Sequence, residues 1–462
     1  MIRGREVSAS ELMQAHLSRT AAVNPQLNAI VTLVADTALS DAQRADDALS
    51  RGDQVGPLHG LPVAHKDLVL TRGIRTTFGS PIFRSFVPDQ NALLVDRLHA
   101  AGAITVGKTN TPEFGAGSQT FNAVFGPTRN PWDLEKTCGG SSGGAAVALS
   151  AGMVALADGS DMGGSLRNPA SFCNVVGLRP SPGRVPIWPG RTGCFPSPSV
   201  NGPMARTVSD VALMLGAIAG ADPRDPLSFD DSPTLFVGSL ERDMTGVRIG
   251  WSGNLGELPV DPLVTQVIDR HRPAFESLGC VVEEASPDLS HADEIFRTWR
   301  AWYYESEYGE LLDTHRDQIK DTVVWNIEAG RQLSGPQLGR MAKMHAELHQ
   351  RVAAFMETYD FLVLPVSQVA PFDITQPYVT EINGEPMTTY LDWMRSCYYI
   401  SVTGLPAISV PCGFTPDGLP VGVQIVGRHR QERSVLQLAY AFEQSTGYWR
   451  RHPPILSATA GQ

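Results

Sequence analysis

Two serine-rich loops and one lysine carry the residue types that acyl transfer needs. The loops are CGGSSGG at 138–144 and DGSDMGGSLR at 158–167. Gly163 and Gly164 let the backbone fold tightly enough to turn several N–H groups toward one point. Such groups at the start of a helix form an anion site. Met162, Gly163 and Gly164 are therefore read as an oxyanion hole beside a nucleophilic Ser165, each donor contributing roughly 10²–10³ in rate. The serine needs a base, and no His-Asp arrangement recommends itself. Lys66 lies in the apolar run LPVAHKDLVL at 61–70, which is expected to bury it and so favour its neutral form. A neutral Lys66 can take a proton from Ser141 while Ser141 takes one from Ser165. No metal or organic cofactor is required by that chemistry.

Other readings of the same residues remain open at this level. A buried lysine followed by Asp67 can equally be half of an ion pair. A Gly-Ser run such as 139–144 can be no more than a flexible loop. His59 and His65 are read as structural, the aromatic group at 299–304 as core. Ser142, Asp161 and Arg167 are assigned to bracing the loops without transferring protons. The 115–125 loop, through Gln119, Phe121 and Phe125, is expected to form a substrate pocket for apolar groups with Tyr390 and Trp393.

These residues need a scaffold. Ser8 and Glu11 form a capping-box signature opening a helix to about residue 23. A second helix fits 36–50, a buried strand 61–70, a helix 91–101 and a strand 103–106. A small-residue helix at 143–153 and a strand at 154–158 link the two serine loops. The helix climbs about 15 Å at ~1.5 Å per residue and the strand returns about 17 Å at ~3.3 Å per residue. Both loops thus reach the same end of a sheet. Later strands are expected at 361–366, 407–410 and 421–426, and a closing helix at 432–444. Alternating strands and helices predict an α/β fold, a mixed β-sheet sandwiched between α-helices on both faces. The reading is one domain over 1–462 with a mostly helical insertion at 262–357.

Two other glycine motifs fail on context. Residues 102–109, GAITVGKT, satisfy the P-loop pattern, but their middle residues are strand formers where an open turn is required. Residues 139–143 contain G-x-S-x-G, yet loop precedes them where the nucleophile elbow demands a strand.

Composition bounds the rest. The chain has 462 residues, net charge −11 and no basic run, which argues against a nucleic-acid surface. Its six cysteines, Cys138, Cys173, Cys194, Cys280, Cys397 and Cys412, form no CxxC pair and are expected to be reduced thiols. No apolar stretch is long enough to span a membrane. A cytoplasmic location is the default expectation, and a start earlier than the present Met1 is expected because a helix begins almost at once. Only five of the 37 Lys plus Arg residues are lysines, so a lysine in an apolar run needs a reason.

At these motifs the sequence resembles the amidase signature family. The resemblance covers LHGLPVAHKD at 58–67, GKTNTPEFG at 107–115, GPTRNP at 126–131, both serine loops, GLPAISVP at 404–411 and GLPVGVQIV at 418–426. It implies Lys66 as base, Ser141 as a bridging serine with a cis peptide, Ser165 as nucleophile, and a small amide or carbamate as substrate. A homodimer is a further expectation. Met162 departs from the threonine of many relatives, removing a hydroxyl and adding an apolar wall. The family includes amidases for aryl and aliphatic amides, nylon-oligomer hydrolases, urethanases that cleave carbamates of aromatic amines, and the glutaminase subunit of tRNA amidotransferases. The DMGGSLRNP variant at 161–169 resembles bacterial amidases that include urethanases.

Overall fold

A run of buried β-formers at each predicted strand assembles one large sheet in the computed structural model, which describes residues 1–190 and 198–458; Cys194 lies outside them. The sheet has eleven strands. In spatial order they are Ile30–Leu33, Ile104–Thr109, Pro62–Lys66, Leu156–Asp161, Val200–Ala205, Val176–Arg179, Ala407–Phe414, Pro420–Gly427, Phe361–Pro365, Arg248–Trp251 and Val281–Glu284. Pro62–Lys66 runs parallel to both neighbours, as does Arg248–Trp251, and the other ladders are antiparallel.

Successive strand residues point to opposite faces, and here they enter different cores. Val63 and Leu156 pack in one, Ala64 and Ala157 in the other. The second core takes in the helices Ala9–Leu27, Ala35–Arg51 and Gly143–Ser150; the first takes in Leu93–Ala100, Val208–Ile218 and Glu432–Thr446. The fold is thus α/β, a mixed sheet covered by helices on both faces. Ser8 accepts from the Glu11 N–H and the Glu11 carboxylate from the Ser8 N–H, the capping box anticipated for the first helix.

The P-loop look-alike is strand: Ile104–Thr109 is hydrogen-bonded on both edges and leaves no open turn for phosphate. The 262–357 segment is less uniformly helical than its composition suggests. Val281–Glu284 is a strand at the sheet edge, paired with Arg248–Trp251. Short and half exposed, it carries little apolar periodicity to announce itself. The helical part proper is Ala292–His315, Asp321–Arg331 and Gly335–Thr358. Tyr304, Leu312, Ile319, Val323 and Ile327 from its first two helices and the intervening turn close a small core with Phe114. That contact brings the helical part over the serine loops. Among the described residues, no helix is long and apolar enough to cross a membrane.

Candidate active site

Lys66 ends its strand with its side chain fully buried. Its Nζ lies 2.8 Å from Ser141 Oγ, 2.9 Å from Ser142 Oγ and 3.0 Å from Ser160 Oγ. Burial lowers the ammonium pKa to about 7, with the more distant charges of Asp161 and Asp158 pulling it partly back. An ammonium donates to all three hydroxyls. A neutral amine donates to two and offers its lone pair to the third. The alternative pairing with Asp67 does not form: that carboxylate accepts from the Thr77 N–H and hydroxyl, and the charge that acts on it most strongly is that of Lys108. His65 is held elsewhere, between Asp158 and Thr105.

The two serine loops meet. The Ser142 N–H donates to Ser165 O at 3.3 Å, and Ser141 follows a cis peptide from Gly140. Ser141 and Ser165 line one cavity of about 40 Å³, walled by Phe114, Met162, Arg300 and Tyr304. Ser165 stands just before the helix Arg167–Cys173.

Asp161 organises the second loop. Its carboxylate accepts from the N–H groups of Gly164 and Leu166 at 2.9 and 3.1 Å and from the Arg167 guanidinium at 2.9 and 3.0 Å, with Arg179 alongside. Burial would raise this carboxyl, but the charges of Arg167 and Arg179 outweigh it and hold it well below the usual range. Arg167 also ties the loop to Cys397 O and Ser401 Oγ. Gly164 has φ +118°, and a Cβ there would sit 2.5 Å from Cys397 Cβ. Only glycine fits.

That same bracing corrects one expectation. The Gly164 N–H is committed to Asp161, and Gly164 is not among the cavity-lining residues, so it is not a free oxyanion donor. Met162 and Gly163 do line the cavity with Ser165. Ser142, assigned to loop support, also holds the Lys66 amine.

Gln119, Phe121, Tyr390 and Trp393 come together around a second cavity of about 60 Å³ that shares Gly117 with the first. Phe125 lies outside it. Asn122 Oδ1 accepts from the N–H groups of Val124 and Phe125, closing a tight turn between Phe121–Asn122 and Gly126–Pro127. The turn sends Phe125 to the far side, where its ring rests against Arg75. The aromatic group at 299–304 divides: Trp299 packs against His345, whereas Tyr304 lines the serine cavity and donates to Phe114 O.

Three residues escaped the sequence reading. Ser160 is the third hydroxyl on Lys66; its spacing of two from Asp158, which holds the Lys66 N–H, is the signal that was available. Arg300 is buried and reaches Tyr304, Tyr390, Asn326 and the Met162 thioether. Lys320 borders the second cavity. Neither announces itself locally. A wider groove of about 830 Å³, between the helix Gly335–Thr358 and the segment around Arg428, contains none of these groups.

Two serines lining one cavity, a buried amine and a braced glycine loop agree with the comparison to known sequences, in which the Amidase family model matches residues 11–436. This chain belongs to the amidase family. The amidase is 40% identical to an acylamidase of Rhodococcus erythropolis over 96% of this chain and 93% of that protein. It is 37% identical to a glutamyl-tRNA(Gln) amidotransferase subunit of Moorella thermoacetica over 98% and 97% of the two chains. Among solved structures, a bacterial aryl acylamidase of the amidase signature family superposes with a TM-score of 0.90 at 27% identity, covering 100% of this chain and 97% of that one. A 6-aminohexanoate cyclic dimer hydrolase gives 0.88 at 28%, covering 98% and 97%. The amidase is accordingly a hydrolase acting on amide C–N bonds.

Proposed function

We propose that this amidase is a stand-alone hydrolase of small acyl amides and anilides that works through an acyl-enzyme on Ser165. The observation that carries the reading is Lys66 Nζ, buried, surrounded by hydroxyls and 2.8 Å from Ser141 Oγ. A neutral amine there accepts the Ser141 proton as Ser141 accepts that of Ser165. Ser165 Oγ then attacks the carbonyl carbon. Negative charge develops on the carbonyl oxygen, toward the backbone of Met162 and Gly163, where preorganised N–H groups act most strongly. As the intermediate collapses, the proton returns along the same path to the leaving nitrogen and the C–N bond breaks. Water attacks the ester, gives its proton to the relay, and releases the acid with Ser165 restored.

Two features favour acyl amides. The acylamidase relative and the aryl acylamidase structure match along nearly the whole chain, and Met162 presents a thioether where a more polar wall would suit a polar acyl group. Carbamates of aromatic amines fit the same chemistry, because only the group on the carbonyl differs. The amidotransferase relatives support a second reading, a glutaminase that passes ammonia to partner proteins.

A panel of anilides, aryl carbamates and glutamine, offered to the purified chain alone, separates these. Anilide turnover that disappears in Ser165→Ala, with a fluorophosphonate label found on Ser165, is the expected result. Glutamine as the one accepted substrate, with activity requiring partner proteins, would overturn it. Carbamate turnover above anilide turnover would move the assignment to a urethanase.

A further inference from the structure

Lys66 is tied to the imidazole before it in sequence by a shared carboxylate. The strands Pro62–Lys66 and Leu156–Asp161 are paired through Val63 with Leu156 and Ala64 with Ala157. Past that point a side chain takes over from the ladder: the Lys66 N–H donates to Asp158 Oδ1 at 2.9 Å. The other oxygen of Asp158 is bonded to His65 Nδ1. His65 Nε2 lies 2.9 Å from Thr105 Oγ1, which in turn lies 2.8 Å from Nε2 of His99 on the helix Leu93–Ala100. The side chains of His65 and Asp158 are fully buried.

One arrangement of protons satisfies this chain with a single charge. The His99 N–H donates to Thr105, the Thr105 O–H to His65 Nε2, and the His65 Nδ1–H to Asp158. The charge is then the Asp158 carboxylate, facing a neutral ring. A second buried charge would add its own desolvation cost.

The other ionisable groups around Lys66 are already matched. Asp161 is held by Arg167 and Arg179. Asp67 is bonded to Thr77 and acts on Lys108, as Asp158 also does. Burial lowers the Lys66 amine, and the charges of Asp161 and Asp158 oppose it. A general base works best when its pKa stays near the operating pH, so a charge that limits the effect of burial keeps the amine basic enough to act. We propose that Asp158 is a positioning residue for the base: clamped by His65, its carboxylate anchors the Lys66 backbone at the strand end and keeps a negative charge acting on the amine. The role rests on the Ser165 acyl-enzyme reading above.

The test is the pH dependence of fluorophosphonate labelling at Ser165 in Asp158→Asn, which keeps an oxygen for the Lys66 N–H and removes the charge. The acid limb is expected to move to lower pH by about 1 unit. The plateau is expected to fall about threefold as the amine becomes a weaker base. His65→Gln combined with Asp158→Asn puts a pair of amides in place of the ring and carboxylate, and is expected to move the limb the same way. Urea titration shows that each variant is folded. A pair that only braced the strand would, once loosened, let water reach the amine and move the limb to higher pH, toward the ordinary lysine range. That result, or a limb unmoved in both variants, overturns the proposal. Absence of Ser165 labelling in the unaltered chain is a different result and removes the hydrolase reading itself.

Discussion

Lys66 and Lys108 sit on adjacent strands, both fully buried and both bonded to hydroxyls, yet only one borders the serine loops. His65 and Lys108 are partners in the parallel ladder. Lys108 Nζ donates to Val69 O, to Thr71 Oγ1 at 2.8 Å and to Thr76 Oγ1 at 3.2 Å. Burial lowers its pKa to about 8, with Asp67 pulling it partly back, close to the value of about 7 at Lys66. A depressed lysine therefore does not by itself mark a reactive site. The difference is what lies beyond the first hydrogen bond: a carbonyl and two threonines at Lys108, against a serine opening onto a cavity shared with a second serine at Lys66.

Replacing each lysine separates these roles. Lys66→Ala is expected to slow acylation of Ser165 by roughly 10²–10⁴, the span of general-base catalysis, read by single-turnover kinetics. Asp161→Asn is expected to lower the unfolding free energy by ~3–5 kcal/mol in urea titration, because Arg167 and Arg179 are left buried without their carboxylate. Lys108→Met is expected to lower stability by ~1–3 kcal/mol as its acceptors lose their donor, with the acylation rate within about tenfold of the parent, less than any general base contributes. A loss of acylation in Lys108→Met as large as that in Lys66→Ala would erase the contrast. The smallest effect is expected from Ser160→Ala. Losing one acceptor disfavours the ammonium, so the acidic limb of the pH–rate profile moves to lower pH, and acylation changes by less than about tenfold.

How much of this was readable in sequence depends on the range of the interaction. The meeting of the 138–144 and 158–167 loops follows from the rise of one helix and one strand, so Ser141, Ser165 and the sheet end were accessible from local lengths. Lys66 was accessible because an apolar run surrounds it. Ser160 needed the face on which the strand presents alternate residues toward a neighbouring strand. Arg300 and Lys320 needed the packing of Tyr304, Val323 and Ile327 around Phe114, a contact between residues 190 or more positions apart in the chain. Gly164 illustrates a finer limit: which N–H of a glycine loop stays free is decided by where the Asp161 carboxylate turns. Phe125 was excluded by a turn that Asn122 signals only once its side chain is seen to accept two backbone N–H groups.

The pH dependence of fluorophosphonate labelling at Ser165 tests most directly whether Lys66 acts as the base. Below its pKa Lys66 is an ammonium with no lone pair, and above it the amine is free. The labelling rate is expected to rise about tenfold per pH unit from the acid side and level off above about 7, with that limb absent in Lys66→Ala. An unchanged rise and midpoint in Lys66→Ala would assign the proton transfer to another group and contradict the relay.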